Sequence, residues 1–188
     1  MRPLLTLGAA LLAAACTTPQ TPPADKGGSQ TPPAAAAEVM PANWEPAYWD
    51  RAMREAQQAR SQGDRAKAES ACARGILYVQ AQSIQLLYGY AELLDRQNVG
   101  SGVTIRSKAQ KLEQARNEQA QAGKSGNTYL GFDPAAELKA YADLLANMKR
   151  NSDALAAEAL SSAYRYAQEQ NLRRTLLQRE GKDPRGEC

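Results

Sequence analysis

Apolar residues recur every three or four positions through most of the chain after Pro41, the spacing that places them on one face of a helix. The first such stripe follows Pro46 and consists of Trp49, Ala52, Met53, Ala56 and Ala59. Gly63 is expected to end this helix, because glycine is favoured just past a helix C-terminus. Asp64 is expected to cap the next helix, since its carboxylate can accept a hydrogen bond from a first-turn N–H.

The following segment carries two more stripes, and their spacing fits either one long helix or two shorter ones. The first stripe comprises Ala68, Ala71, Cys72, Gly75, Ile76 and Val79, and the second comprises Leu86, Leu87, Tyr90, Leu93 and Leu94. A break near residues 81–83 and an unbroken helix reaching Gln97 are both consistent with this pattern. Residues 98–102 are predicted to form a loop.

The rest of the chain predicts three further helices. A polar helix, marked by Ile105, Ala109 and Leu112, ends near Gly123 and is followed by a loop at residues 123–133. Asp133 before Pro134 predicts a helix start, whose stripe is Leu138, Tyr141, Leu145 and Met148. Ser152 is expected to cap the last helix, which extends to Gly181 with the stripe Ala156, Leu160, Ala163, Tyr164, Ala167, Leu172 and Leu176.

No segment alternates apolar and polar residues with the period of a strand, so we predict an all-α domain of five to seven helices. The 36 alanines favour closely packed helices. Ala56, the Gly63–Asp64 turn and Ala68 resemble the small-residue and turn positions of a tetratricopeptide unit, a helical hairpin of about 34 residues. This resemblance implies a short solenoid whose second unit begins at Ser83. A helical bundle is the alternative, and the stripes alone favour it.

The N-terminus has the parts of an export signal. Arg2 supplies a positive charge, Leu4 to Leu12 form an apolar core too short to span a bilayer, and Ala13 to Ala15 are small residues suited to a cleavage site. Cys16 follows directly, and this arrangement resembles the lipobox of bacterial lipoprotein precursors. The match covers the leader alone.

The lipobox resemblance implies that residues 1–15 are removed and that Cys16 carries a thioether-linked diacylglycerol and an acylated amine, with palmitate among the chains. Several acyl chains anchor durably, at about 0.8 kcal/mol per buried methylene group. Thr17, and not aspartate, follows Cys16. In the family that this leader resembles, that implies transfer to the outer membrane, with the protein on its periplasmic face. An ordinary cleaved signal and a soluble periplasmic product are the alternative.

Residues 16–41 are predicted to be a lipid-anchored, disordered linker. Six of the ten prolines lie in this segment. Residues 42–188 form the predicted helical domain, where the remaining prolines stand at places where a helix could begin or has already ended: Pro46, Pro134 and Pro184.

The chain lacks histidine, which excludes histidine triads and histidine-ligated metals. We expect neither a metal nor another cofactor. The 23 basic and 20 acidic residues give a net charge of +3 at pH 7 and are interspersed along the helices. This pattern is typical of a solvated surface, so we expect no nucleic-acid partner.

Two short motifs resemble parts of enzymes. Gly123-Lys124-Ser125 is similar to the end of a phosphate loop, but Glu118 occupies the position where that motif requires glycine, so we interpret it as a loop between helices. Glu69-Ser70, followed by Gly75 to Leu77 and Gln80, resembles the catalytic Glu-Ser and subsequent run of lytic transglycosylases. That resemblance implies a peptidoglycan-acting enzyme with Glu69 as its acid. A solvent-facing helical glutamate is the simpler interpretation.

Two cysteines remain after Cys16, and an oxidising periplasm would allow Cys72 and Cys188 to form a disulfide bond. The alternative is that Cys72 is simply a small buried apolar residue. An aromatic group lies where the linker enters the domain, and it either contacts a partner or packs the chain onto the first helix: Trp44, Tyr48 and Trp49. We favour the packing role.

These patterns together predict a non-enzymatic, lipid-anchored helical scaffold on the periplasmic face of the outer membrane. Its partners would be the lipid bilayer, through acylated Cys16, and an envelope protein bound in a groove between helical hairpins. A peptidoglycan-acting enzyme and a passive structural lipoprotein are the alternatives.

Overall fold

The computed structural model describes residues 40–98, 100–122, 130–185 and 187, with the side chains of residues 120–122 excepted. This part of the chain contains no strand and forms five α-helices: α1 (Pro46–Ser61), α2 (Arg65–Arg96), α3 (Gly102–Ala122), α4 (Pro134–Asn147) and α5 (Asn151–Arg179). The helices pack against one another as a bundle, so the prediction of an all-α domain is confirmed. The predicted leader and nearly all of the predicted linker lie outside the described residues.

Most helix ends follow the local signals in the sequence. Gly63 adopts a φ of +77°, a left-handed conformation that glycine enters without steric cost, and it ends α1. Asp64 accepts a hydrogen bond from the Lys67 N–H at 3.0 Å and so caps α2. Asp133 accepts one from the Ala135 N–H at 3.0 Å, directly before the first-turn proline of α4.

The predicted cap of the last helix is wrong. Helix α5 begins at Asn151, with Arg150 in the N-cap position and Ser152 already inside the first turn. The reason is the tight connection from α4, in which Lys149 adopts a φ of +61° and its N–H donates to the Ala146 carbonyl at 2.9 Å. The chain therefore turns straight from one helix into the next, and Ser152 comes too late to cap.

Helix α2 settles the question left open by the two stripes, because it runs unbroken for 32 residues. Residues 81–83 contain neither glycine nor proline, and the Ser83 hydroxyl donates to the Val79 carbonyl at 2.7 Å. A helix of this length spans about 48 Å. No helix begins at Ser83, where the tetratricopeptide resemblance would start a second unit.

Helix α2 is the centre of the bundle and contacts all four other described helices. Helix α1 forms a hairpin with α2, and the α4–α5 hairpin and α3 also pack against α2. The predicted stripes supply much of the core, which includes Trp49, Ala52, Cys72, Ile76, Val79, Leu87, Ile105, Leu112, Leu138 and Leu160. Gly75 allows α1 to approach closely, because a Cβ there would lie 3.2 Å from the Trp49 ring.

Candidate functional site

Several residues singled out in the sequence lie outside the described part of the chain. They are Cys16, Cys188 and the Gly123-Lys124-Ser125 motif. Lipidation of Cys16 and the partner of Cys72 therefore stay predictions. The other candidate residues fall into three regions of the bundle: the entry segment before α1, the cluster around Cys72, and the exposed side of α5.

The entry segment, residues 41–45, is held against the middle of α2. The Tyr78 hydroxyl donates to the Asn43 carbonyl at 2.6 Å and accepts from the Glu45 N–H at 2.6 Å. Gln82 Nε2 donates to the carbonyls of residues 41 and 42, at 3.3 and 3.2 Å. Burial raises the pKa of the Tyr78 phenol, so the hydroxyl stays protonated and able to donate.

The aromatic residues beside the entry segment pack it onto the helices, as favoured from the sequence. The Trp44 ring stacks on Tyr78 with centroids 5.5 Å apart, and Tyr48 meets the same ring at 4.6 Å. Trp49 meets Tyr166 of α5 edge to face at 5.9 Å. Tyr48 and Trp49 are buried, which leaves them little surface for a partner.

The Glu69 side chain is partly exposed to solvent and also contacts α5. Its carboxylate forms an ion pair with the guanidinium of Arg174, whose side chain is only 7% exposed. Arg174 Nη1 also lies 3.8 Å from Cys72 Sγ. The pair joins positions 105 residues apart. The geometry thus gives Glu69 a packing role between α2 and α5.

The sulfur of Cys72 is fully buried and disulfide-bonded. It lies 3.8 Å from the carbonyl oxygen of Glu187. The Glu187 carboxylate pairs with Arg60 of α1 at 2.5 Å and with Arg173 of α5 at 3.5 Å. Because Glu187 precedes Cys188, these contacts support Cys188 as the bonded partner, which remains a prediction.

Two leucines form an apolar edge on α5, one helical turn apart. Leu172 is 53% exposed and Leu176 is 48% exposed, although both belong to a stripe predicted to be buried. The difference arises because α4 has 14 residues and α5 has 29, so the second half of α5 extends past its hairpin partner. We call Leu172 and Leu176 the leucine edge.

A second apolar feature is a groove between α4 and α5, lined by alanines at 142, 146 and 154. Leu155 borders it and is 67% exposed. Lys139 also lines the groove and bonds Asp143 at 2.7 Å and Glu158 at 3.5 Å. The groove therefore lies within one hairpin and carries charges that are already paired.

Sequence reasoning did not single out Tyr78, Gln82 or Arg174. A tyrosine, a glutamine and an arginine in long helices are common residues, and no local pattern marks their partners. Each acts on a segment that is distant along the chain, as with the 35 positions between Tyr78 and Asn43.

None of the described helices combines the length and hydropathy that crossing a membrane requires. Nor do the described residues group three or more cysteine, aspartate or glutamate side chains in a way that would hold a metal ion. Comparisons with protein-family models, with curated proteins and with solved structures find no match to this chain. A function therefore has to be argued from the residues themselves.

Proposed function

We propose that the chain is a lipid-anchored, non-enzymatic adaptor on the periplasmic face of the bacterial outer membrane. The observation that carries the proposal is Cys16, placed directly after three small residues that end a short apolar segment with a positive charge before it. The entry segment lends support, because its hydrogen bonds give the chain a firm attachment where the predicted linker meets the bundle.

Lipidation is tested by growing cells that express the chain with radiolabelled palmitate. We expect label in the full-length product and none in Cys16→Ser, which should also leave the membrane fraction. Cys188→Ser is the matched control and should keep both label and fractionation. An unlabelled native chain, or Cys16→Ser that still fractionates with the outer membrane, would contradict the anchor.

The adaptor role requires a surface for a protein partner, and we assign it to the leucine edge. A partner that covers these two half-exposed leucines would gain a favourable free energy of about 25 cal/mol for each Å² of apolar surface removed from water. The groove beside Leu155 is less suited, because its charged lining residues already pair with one another. The partner would be an envelope protein that presents an apolar face.

A photo-crosslinking residue at position 172 tests this surface in living cells, with position 162, an exposed serine on the same helix, as the control. We expect one envelope protein to be captured from position 172 and not from position 162. Leu176→Gln should abolish the capture, whereas Leu155→Gln should not. Equal capture from both positions, or capture that survives Leu176→Gln, would argue against the leucine edge.

A further inference from the structure

A cavity of about 240 Å³ lies between α2, α3, α5 and the segment that leads into α4. Its lining combines apolar side chains, among them Leu112 and Phe132, with polar ones, among them Gln80, Arg116 and Asn171. The volume corresponds to about eight water molecules at roughly 30 Å³ each. A guest would therefore be smaller than a typical drug molecule, which fills 300 Å³ or more.

Three polar lining residues each hold a buried atom without a hydrogen-bond partner among the described residues. These atoms are Gln80 Oε1, Arg116 Nε and Asn171 Oδ1. Gln80 is only 7% exposed, and its Nε2 donates to Gln119 Oε1 at 3.1 Å. The Gln80 Oε1 atom remains as an acceptor toward the cavity. Buried polar atoms are nearly always hydrogen-bonded in folded proteins, so these three atoms need partners inside the cavity. Water can supply them, and so can a guest molecule that carries matching donors and acceptors.

The positive charge of Arg116 in the cavity lining favours a guest with a negatively charged group. Arg116 is the one charged residue among the described lining side chains, and no carboxylate accompanies it there. A guanidinium presents planar N–H groups that match the oxygens of a carboxylate. Tyr164 also lines the cavity, and burial raises its pKa well above the usual value, so its phenol stays neutral and does not compensate Arg116.

We propose that this cavity binds a small carboxylate that also carries an N–H donor, of which an N-acylated amino acid is the simplest example. The carboxylate would accept from Arg116 Nε, and the N–H would donate to Gln80 Oε1 or Asn171 Oδ1. An aliphatic side chain of the ligand would pack against Leu112 and Phe132. This binding site depends neither on the lipid anchor nor on the leucine edge.

The probe is N-acetyl-L-leucine, titrated into the purified ¹⁵N-labelled protein while the Nε–H signals of arginine are followed by NMR. We expect the Arg116 Nε–H signal to move as a carboxylate hydrogen bond forms. Two relatives of the probe each lack one feature: N-acetyl-L-leucinamide lacks the charge, and 4-methylpentanoate lacks the N–H. Each should bind at least about tenfold more weakly.

Arg116→Gln should weaken binding of N-acetyl-L-leucine by at least roughly tenfold, whereas Lys111→Gln, an exposed cation on the same helix, should leave it unchanged. Ala115→Leu, which fills the cavity without touching the charge, should abolish binding. Circular dichroism checks that each variant is folded. The proposal is overturned if the probe does not bind, if its neutral amide binds equally well, if inorganic phosphate replaces it, or if Lys111→Gln weakens it as much as Arg116→Gln.

Discussion

At the scale of single residues, Arg174 shows how a buried charge is held. It is the most buried charged side chain in the described ion pairs, and Glu69 supplies its counter-charge. Removing one partner of such a pair costs more than the pair contributes, because the remaining charge is left away from water. The two residues are unequal in this respect, since the Glu69 side chain is 30% exposed and water can reach it.

Glu69→Gln should therefore lower the free energy of unfolding by about 3 kcal/mol, because Arg174 is left buried without a negative charge. Arg174→Met should cost only about 1 kcal/mol, since Met retains most of the apolar stem and water can reach the Glu69 carboxylate. Urea unfolding followed by circular dichroism measures both. A larger loss in Arg174→Met would contradict this account, and a cell-wall defect from folded Glu69→Gln would favour the transglycosylase-like alternative.

A second residue-scale prediction concerns two helical glycines. A Cβ at Gly102 would lie 2.8 Å from the Ala91 carbonyl oxygen and overlap the Asp95 carboxylate, so Gly102→Ala should destabilise by about 1–3 kcal/mol. A Cβ at Gly89 would meet only the Tyr141 hydroxyl, at an ordinary 3.6 Å. Gly89→Ala should thus stabilise by about 0.5–1 kcal/mol. The melting temperatures of the two variants should shift in opposite directions. Shifts in the same direction would refute the claim that only position 89 has room for a methyl group.

At the scale of elements, the helices differ in how their N-termini are capped. Helices α2 and α4 have aspartate caps, whereas the N-cap of α5 makes no side-chain hydrogen bond. The first turn of α5 instead follows from the tight connection at Lys149, which orients the chain before the helix begins. Ser152, the cap expected from the sequence, is therefore not needed to start α5.

Asp133→Ala should consequently cost about 1 kcal/mol, because the Ala135 N–H loses its acceptor. Ser152→Ala should change stability by less than about 0.5 kcal/mol, as expected for an exposed residue inside a first turn. Chemical denaturation of the two single variants provides the comparison. Equal losses would mean that Ser152 does cap the helix after all.

The elements that the sequence predicts well are those whose signals are local. The stripe from Trp49 to Ala59, the Gly63 stop and the Asp133–Pro134 start each depend on residues within a turn or two of one another. Exposure of the leucine edge depends on the length of the helix opposite, which no local pattern contains. The cavity was missed for the same reason, since Gln80, Arg116 and Asn171 come from three different helices.

At the scale of the whole molecule, the C-terminal tail is fastened to the first hairpin. Asp183 pairs with Arg65 at 2.9 Å, and Glu187 pairs with Arg60 at 2.5 Å. These pairs are partly exposed, and such pairs contribute little each. The disulfide bond of Cys72 matters more if its partner is Cys188. Such a bond would close a loop of more than a hundred residues and restrict the unfolded chain by about 4–5 kcal/mol in the loop-entropy model.

If Cys188 is the bonded partner, a reducing agent should lower the melting temperature of the native protein and leave that of Cys188→Ser unchanged. The non-reduced mass should be lower than the reduced mass by two hydrogens. Cys16→Ser is the control and should respond to reduction as the native chain does. Two free thiols at positions 72 and 188 would refute the pairing.

The entry segment also has a mechanical consequence. Tyr78 and Gln82 lie near the midpoint of α2, so a pull applied to the chain before Met40 first acts at the side of the longest described helix. Such a load acts first on the hydrogen bonds of the entry segment, because they lie between the point of pulling and the first turn of α1. Tension would therefore reach α1 only after the bonds of Tyr78 and Gln82 to the entry segment had broken.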